Sequence, residues 1–104
     1  MIQQGACTIF KVNLASRLED FTATSPYTYK IALYTALANL NNTTTAYNSS
    51  YEVVGSGYTA GGAVLTPIAP AADSSNNTAY WSFANVSWTG ASFVTRGALI
   101  YNAT

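Results

Sequence analysis

The segment EVVGSGYTAGGAVLTP (Glu52–Pro67) sets four glycines within eight positions, a density that could let the backbone close around a phosphate. A nucleoside-triphosphate loop needs Lys and then Ser or Thr after its last glycine, because the ammonium and hydroxyl engage the phosphates and magnesium. Gly57 and Gly62 have the required separation, but Ala63 and Val64 follow them. The dinucleotide fingerprint matches at Gly55 and Gly57, then meets Ala60 where its third glycine belongs, with no helical pattern behind it. Gly55, Gly57, Gly61 and Gly62 are therefore read as turn or bulge positions, where glycine supplies positive φ and close backbone approach. Tyr58 is expected to lie over that exposed backbone.

Acid-base chemistry fares no better. The carboxylates are Glu19, Asp20, Glu52 and Asp73, and the chain has no histidine to pair with a Ser or Cys nucleophile. Glu19 and Asp20 are adjacent and project in different directions from a helix, and Asp73 falls in a loop-like stretch. The single cysteine, Cys7, rules out an internal disulfide, and without histidine there is no donor set for most transition metals. Cys7 is expected to be a small buried apolar residue. The residues point to a non-enzyme without a cofactor or metal.

Composition narrows the partners. Hydrophobic residues make up 49% of the 104 positions and charged residues only 8%, against roughly 25% in ordinary soluble domains. Four basic and four acidic residues cancel, so no field draws nucleic acid or anionic lipid toward the chain. A near-neutral surface resists association poorly, which argues that a partner covers part of it. The first residues lack a basic stretch leading into an apolar run, and no later segment reaches membrane-spanning length. Folding in the cytoplasm without export is expected, and the Asn-x-Ser/Thr triplets at Asn48 and Asn85 then carry no meaning as glycosylation sites.

The elements that must hold these residues are mostly strands. Phe10, Leu14, Leu18 and Phe21 recur at helical spacing and predict a helix over 10–20, although Phe10, Val12 and Leu14 also alternate as in a strand. Pro26 breaks the element, and YTYKIALYTAL then reads as a strand close to a sheet centre. NLNNTTTAYNSSYE is expected as a surface loop. Beyond it, YEVV, GAVLTPI, TAYWSFANVSW and SFVTRGALIYN read as β runs, with APAADSSNN a loop between the second and third. One mainly β domain follows: a small antiparallel sandwich or barrel over 28–102 with an N-terminal helix on one face or edge. Trp81, Phe83 and Trp88 are expected in its core.

Residues that could meet a partner are the segment Met1–Thr8, beginning Met1, Ile2, Gln3, Gln4, which lacks charge and periodicity and reads as an arm ordered only against a neighbour. The loop tyrosines Tyr47, Tyr51 and Tyr58 offer amphipathic contact area. Arg96 can pair with Glu52 internally or with a partner's carboxylate, and the internal pair is favoured because sparse charges in β domains are usually satisfied locally.

The order of motifs KIALYTA (Lys30–Ala36), YEVVGSGYTAGG (Tyr51–Gly62), VLT (Val64–Thr66), YWSFANVSWTGASF (Tyr80–Phe93) and RGALIYN (Arg96–Asn102) resembles a family of small virion-associated proteins of tailed bacteriophages. MIQQGACT lies outside the similarity. The resemblance implies a structural role on the virion, as a cement or decoration protein bound across major capsid protein junctions, and self-association into a homo-oligomer. A head-fibre, tail-fibre or spike domain contacting host glycans, or a tail or connector component, is the alternative it leaves open.

Overall fold

The structure, a computed structural model, describes residues 1–22 and 24–104. It is mainly β, with one short helix and two antiparallel sheets. Helix α1 (Thr8–Ala15) is followed by strands β1 (Tyr29–Tyr34), β2 (Ala63–Leu65), β3 (Pro67–Asp73), β4 (Thr78–Phe83) and β5 (Gly97–Asn102). One sheet has the order β2-β1-β5, which places β1 at its centre as its β-branched and aromatic residues predict; the other is the β3-β4 hairpin. Among the described residues no helix is long and apolar enough to cross a membrane.

Because β1 is central, side chains from both of its faces are covered. On one face Tyr29 packs with Phe21 and Leu65, joined by Phe10, Ile31, Phe83 and Val86. On the other, Ala32 and Tyr34 pack with Ala38, joined by Ile2, Leu40, Tyr47 and Tyr101. Phe21 is the pivot of the first cluster. Its ring stacks on Tyr29 at 4.7 Å and on Trp81 at 5.2 Å, and lies near Phe10 and Phe83.

The helix is shorter than its apolar spacing predicts. Arg17 adopts φ 62°, and the Leu18 N–H donates to Asn13 O while that of Arg17 donates to Leu14 O, the bonding of a left-handed helix stop. Leu14 and Leu18 are left exposed. Tertiary contacts hold the chain in this bend: the Asp20 N–H donates to the Tyr29 hydroxyl at 2.9 Å, and Glu19 accepts from that hydroxyl and from Asn102 Nδ2. At the other end, Thr8 N–H finds Asn42 O in place of a side-chain cap.

Several β expectations are corrected. GAVLTPI divides between sheets, since Pro67 has no N–H to continue a ladder, and it instead opens β3. APAADSSNN is not wholly loop: Pro67–Asp73 is strand, with Ala69 and Pro70 in a bulge between Ile68 and Ala71, a place where an edge strand tolerates proline. YEVV and SFVT contribute only the bridges Tyr34 to Glu52 and Ser56 to Ser92. Trp81 remains 42% exposed although its ring rests on Phe21.

Phe21→Ala removes the ring that joins helix, sheet and hairpin, and is expected to lower unfolding free energy by about 3 to 5 kcal/mol. Denaturant titration followed by Trp fluorescence checks it. A loss below about 1 kcal/mol would mean that the aromatic cluster does not hold these elements together.

Candidate functional site

Chain from Thr35 to Gly62 links β1 to β2 without regular structure, far longer than most connections. It is tied to the sheet at its middle. Thr35 N–H donates to Tyr51 O, Val53 N–H donates to Leu33 O, and Glu52 bridges to Tyr34. This turns Glu52 inward, where it is only 6% exposed and is the single buried charged side chain among the described residues.

The Glu52 carboxylate meets neutral donors. Tyr47 donates its hydroxyl to Oε1 at 2.5 Å, Tyr58 donates to Oε2 at 2.5 Å, and the Gly61 N–H donates to Oε2 at 2.8 Å. The surrounding groups are held in turn. Leu33 N–H donates to the Tyr58 hydroxyl at 2.9 Å, Tyr101 donates to Gly61 O at 2.7 Å, and Tyr34 donates to Asn48 O at 2.7 Å. Tyr47 stacks on Tyr101 at 4.8 Å, and Tyr58 lies edge-on to Phe93 at 5.6 Å. The glycine loop does enclose an anion, but the anion is the chain's own.

Glycine is required where the loop folds back. A Cβ at Gly62 would overlap the Ile31 carbonyl, with φ at 83°, and one at Gly57 would sit 2.7 Å from the Ala91 backbone, with φ at 85°. Gly61 turns to offer its N–H to Glu52, and Gly55 lies against Phe93. Gly57, Gly61 and Gly62 adopt positive φ, and Gly55, Gly57 and Gly62 lie against other backbone or side-chain atoms.

The sequence-derived contact residues separate on this geometry. Tyr47 and Tyr58 are half-buried with their hydroxyls committed to Glu52, so they are not free contact surfaces. Tyr51 stays exposed. Arg96 is exposed, and the Glu52 oxygens expected to receive it are filled by tyrosines and Gly61. Met1–Gln3 do not form a loose arm: Ile2 bridges to Leu40, Gln3 N–H donates to Leu40 O, and the Met1 amino group donates to Ala38 O. Gln4 is exposed beside them. Cys7 is half-buried, its thiol near Asn41 O at 3.5 Å. The carboxylate-tyrosine cluster itself is not foreseen by sequence reasoning. Its signal is a lone Glu followed at six residues by Tyr58 inside a glycine cluster.

Chemically the cluster is closed. An ionised carboxylate offers about four acceptor sites, and three are occupied here. Two grooves border Tyr47, and Glu52 lines neither. A search of family models, curated proteins and solved structures finds no match to this chain.

Burial and the Glu52 charge hold these phenols in their neutral form. Burial, then the Glu52 charge, pushes Tyr34 up to about 12. The hydrogen bond to Glu52 is the main cause of a larger rise at Tyr47, and burial, followed by that bond, raises Tyr58. Burial also takes Tyr29 to about 12. Each keeps its proton in the folded chain beyond the ordinary value of 10.0, so their contribution to stability is complete below that pH and is lost as pH rises toward 12. Unfolding measured from pH 9 to 12 is expected to show this decline, with late tyrosinate absorbance appearing together with unfolding. Stability that stays flat across that window would contradict the buried arrangement.

Proposed function

We propose that this chain is a non-catalytic structural protein of a tailed-bacteriophage particle, a cement or decoration protein that attaches across junctions between major capsid subunits. The observation that carries the reading is a pair of valines left almost wholly in solvent on adjoining segments. Val54 is 95% exposed and Val94 87%. The segments bearing them are joined by the Ser56 to Ser92 bridge, and Gly55 lies against Phe93, a register that sets Val54 opposite Val94. Apolar side chains this bare are area that a partner can cover. Leu37 and Tyr51, on the same connection as Val54, are exposed as well.

The rest of the chain supports the same role. Glu52, its one buried carboxylate among the described residues, is occupied in holding a loop, and zero net charge suits a partner recognised by shape and apolar contact. The setting is the one implied by the resemblance of the motif order to small virion proteins.

Val54→Lys with Val94→Lys is expected to cut incorporation into particles at least tenfold, about 1.4 kcal/mol, while leaving the melting temperature within a few degrees because both positions are exposed. Quantifying the chain in purified particles checks this. Wild-type attachment is expected to persist from about 0.1 M to about 1 M salt, since contacts of this kind do not depend on the Debye length. Release by salt alone, or undiminished incorporation of the double variant, would count against the reading.

A further inference from the structure

The fold leaves two strand edges open, and they differ from the others. Ala103 N–H donates to Thr28 O, so along β5 the alternation of an antiparallel ladder turns the backbone groups of Ala98, Ile100 and Asn102 away from β1. In the hairpin, Ala84 N–H donates to Thr66 O, which by the same alternation turns those of Ala79, Trp81 and Phe83 away from β3. Among the described residues no hydrogen bond reaches either set.

Lone edges are ordinarily blunted by proline, bulges, charge or shortness. β3 has Pro67, Pro70 and a bulge, and β2 is only three residues long. β4 (TAYWSF) and β5 (GALIYN) are each six residues long without a proline, a bulge or a charge, and β5 has α1 and residues 44–47 standing beside it. The β5 edge also lies in a groove of about 410 Å³. The lining includes Ile9 and Phe10 of α1 on one side, Thr44 and Tyr47 on the other, and Ile100 and Tyr101 of β5 itself. Side chains from both sheet faces line it, so the groove lies along the edge, and an added strand would enter between α1 and residues 44–47.

We propose that copies of this chain associate edge to edge, with β4 of one copy pairing with β5 of the next. The two edges match in length and lack of charge, and each copy supplies one of each, so every open edge finds a partner. Pairing would also cover exposed apolar side chains beside both edges: Tyr80 and Trp81 on β4, Ile9 and Ile100 at the groove. The contact joins two different surfaces, and such head-to-tail contacts close into rings when the rotation allows. The inference stands independently of the virion reading, because it concerns the purified chain alone.

Sedimentation of the purified chain is expected to give an integer multiple of 11.0 kDa. Ala79→Pro blunts β4 and Ile100→Pro blunts β5, in each case at an N–H that faces away from the chain's own ladder. Each variant alone is expected to fall to the mass of one chain. Mixed in equal amounts they are expected to form a one-to-one pair of twice that mass, because one retains an intact β5 and the other an intact β4. Ala79→Lys and Ile100→Lys repeat the scheme should either proline variant lose its far-UV circular dichroism. A monomeric wild type, an oligomer that survives either blunted edge, or a mixture that stays monomeric overturns the proposal.

Discussion

Taking the Glu52 carboxylate out of water costs several kcal/mol unless its lone pairs are filled, and donors from three separate points of the chain fill them: Tyr47, Tyr58 and Gly61. Meeting that requirement fixes the long connection between β1 and β2. Once Glu52 sits beside Tyr34, Tyr58 is drawn over the end of β1 to receive the Leu33 N–H, and Gly61 and Gly62 must turn back against Ile31. β2 then begins at Ala63, in register with Ile31. A polar contact thus sets the course of this segment, and Ala38, Leu40, Tyr47 and Val53 pack its apolar side chains along that course.

The aromatic residues divide the remaining work. On one sheet face the Phe21 cluster binds helix and hairpin to the sheet, and on the other the Tyr34 cluster receives Ile2 and Leu40. Neither cluster is large, as expected for a chain of this length, and both depend on β1 being covered from two sides. Beyond them the molecule leaves valines, a tyrosine and two strand edges in solvent. These features are the ground for the proposed contacts with other copies and other proteins.

Much of this is legible in the sequence, and the exceptions share a cause. The central β1 is readable because its apolar and β-branched residues are local, and the four glycines because no larger side chain meets their φ and packing demands. The helix reads too long because the periodicity of Leu14 and Leu18 is real, but Tyr29 and Asn102 claim Glu19 and Asp20 and turn the chain early. APAADSSNN reads as loop on its composition, whereas an edge strand with a bulge admits Pro70. Glu52 is visible only as a sparse charge, and Arg96 is its natural partner on charge alone. Tyrosine hydroxyls at residues 47 and 58 satisfy the carboxylate instead, a choice made by tertiary proximity that no local pattern records.

The most direct test of the account is amide hydrogen exchange in folded Glu52→Ala compared with wild type. Loss of the carboxylate should raise exchange at Gly61 and Leu33 at least tenfold, about 1.4 kcal/mol of local opening, while Ala32 on the β5 side of β1 changes little. Equal protection at Gly61 and Leu33 in both proteins would show that the loop is held by something other than Glu52.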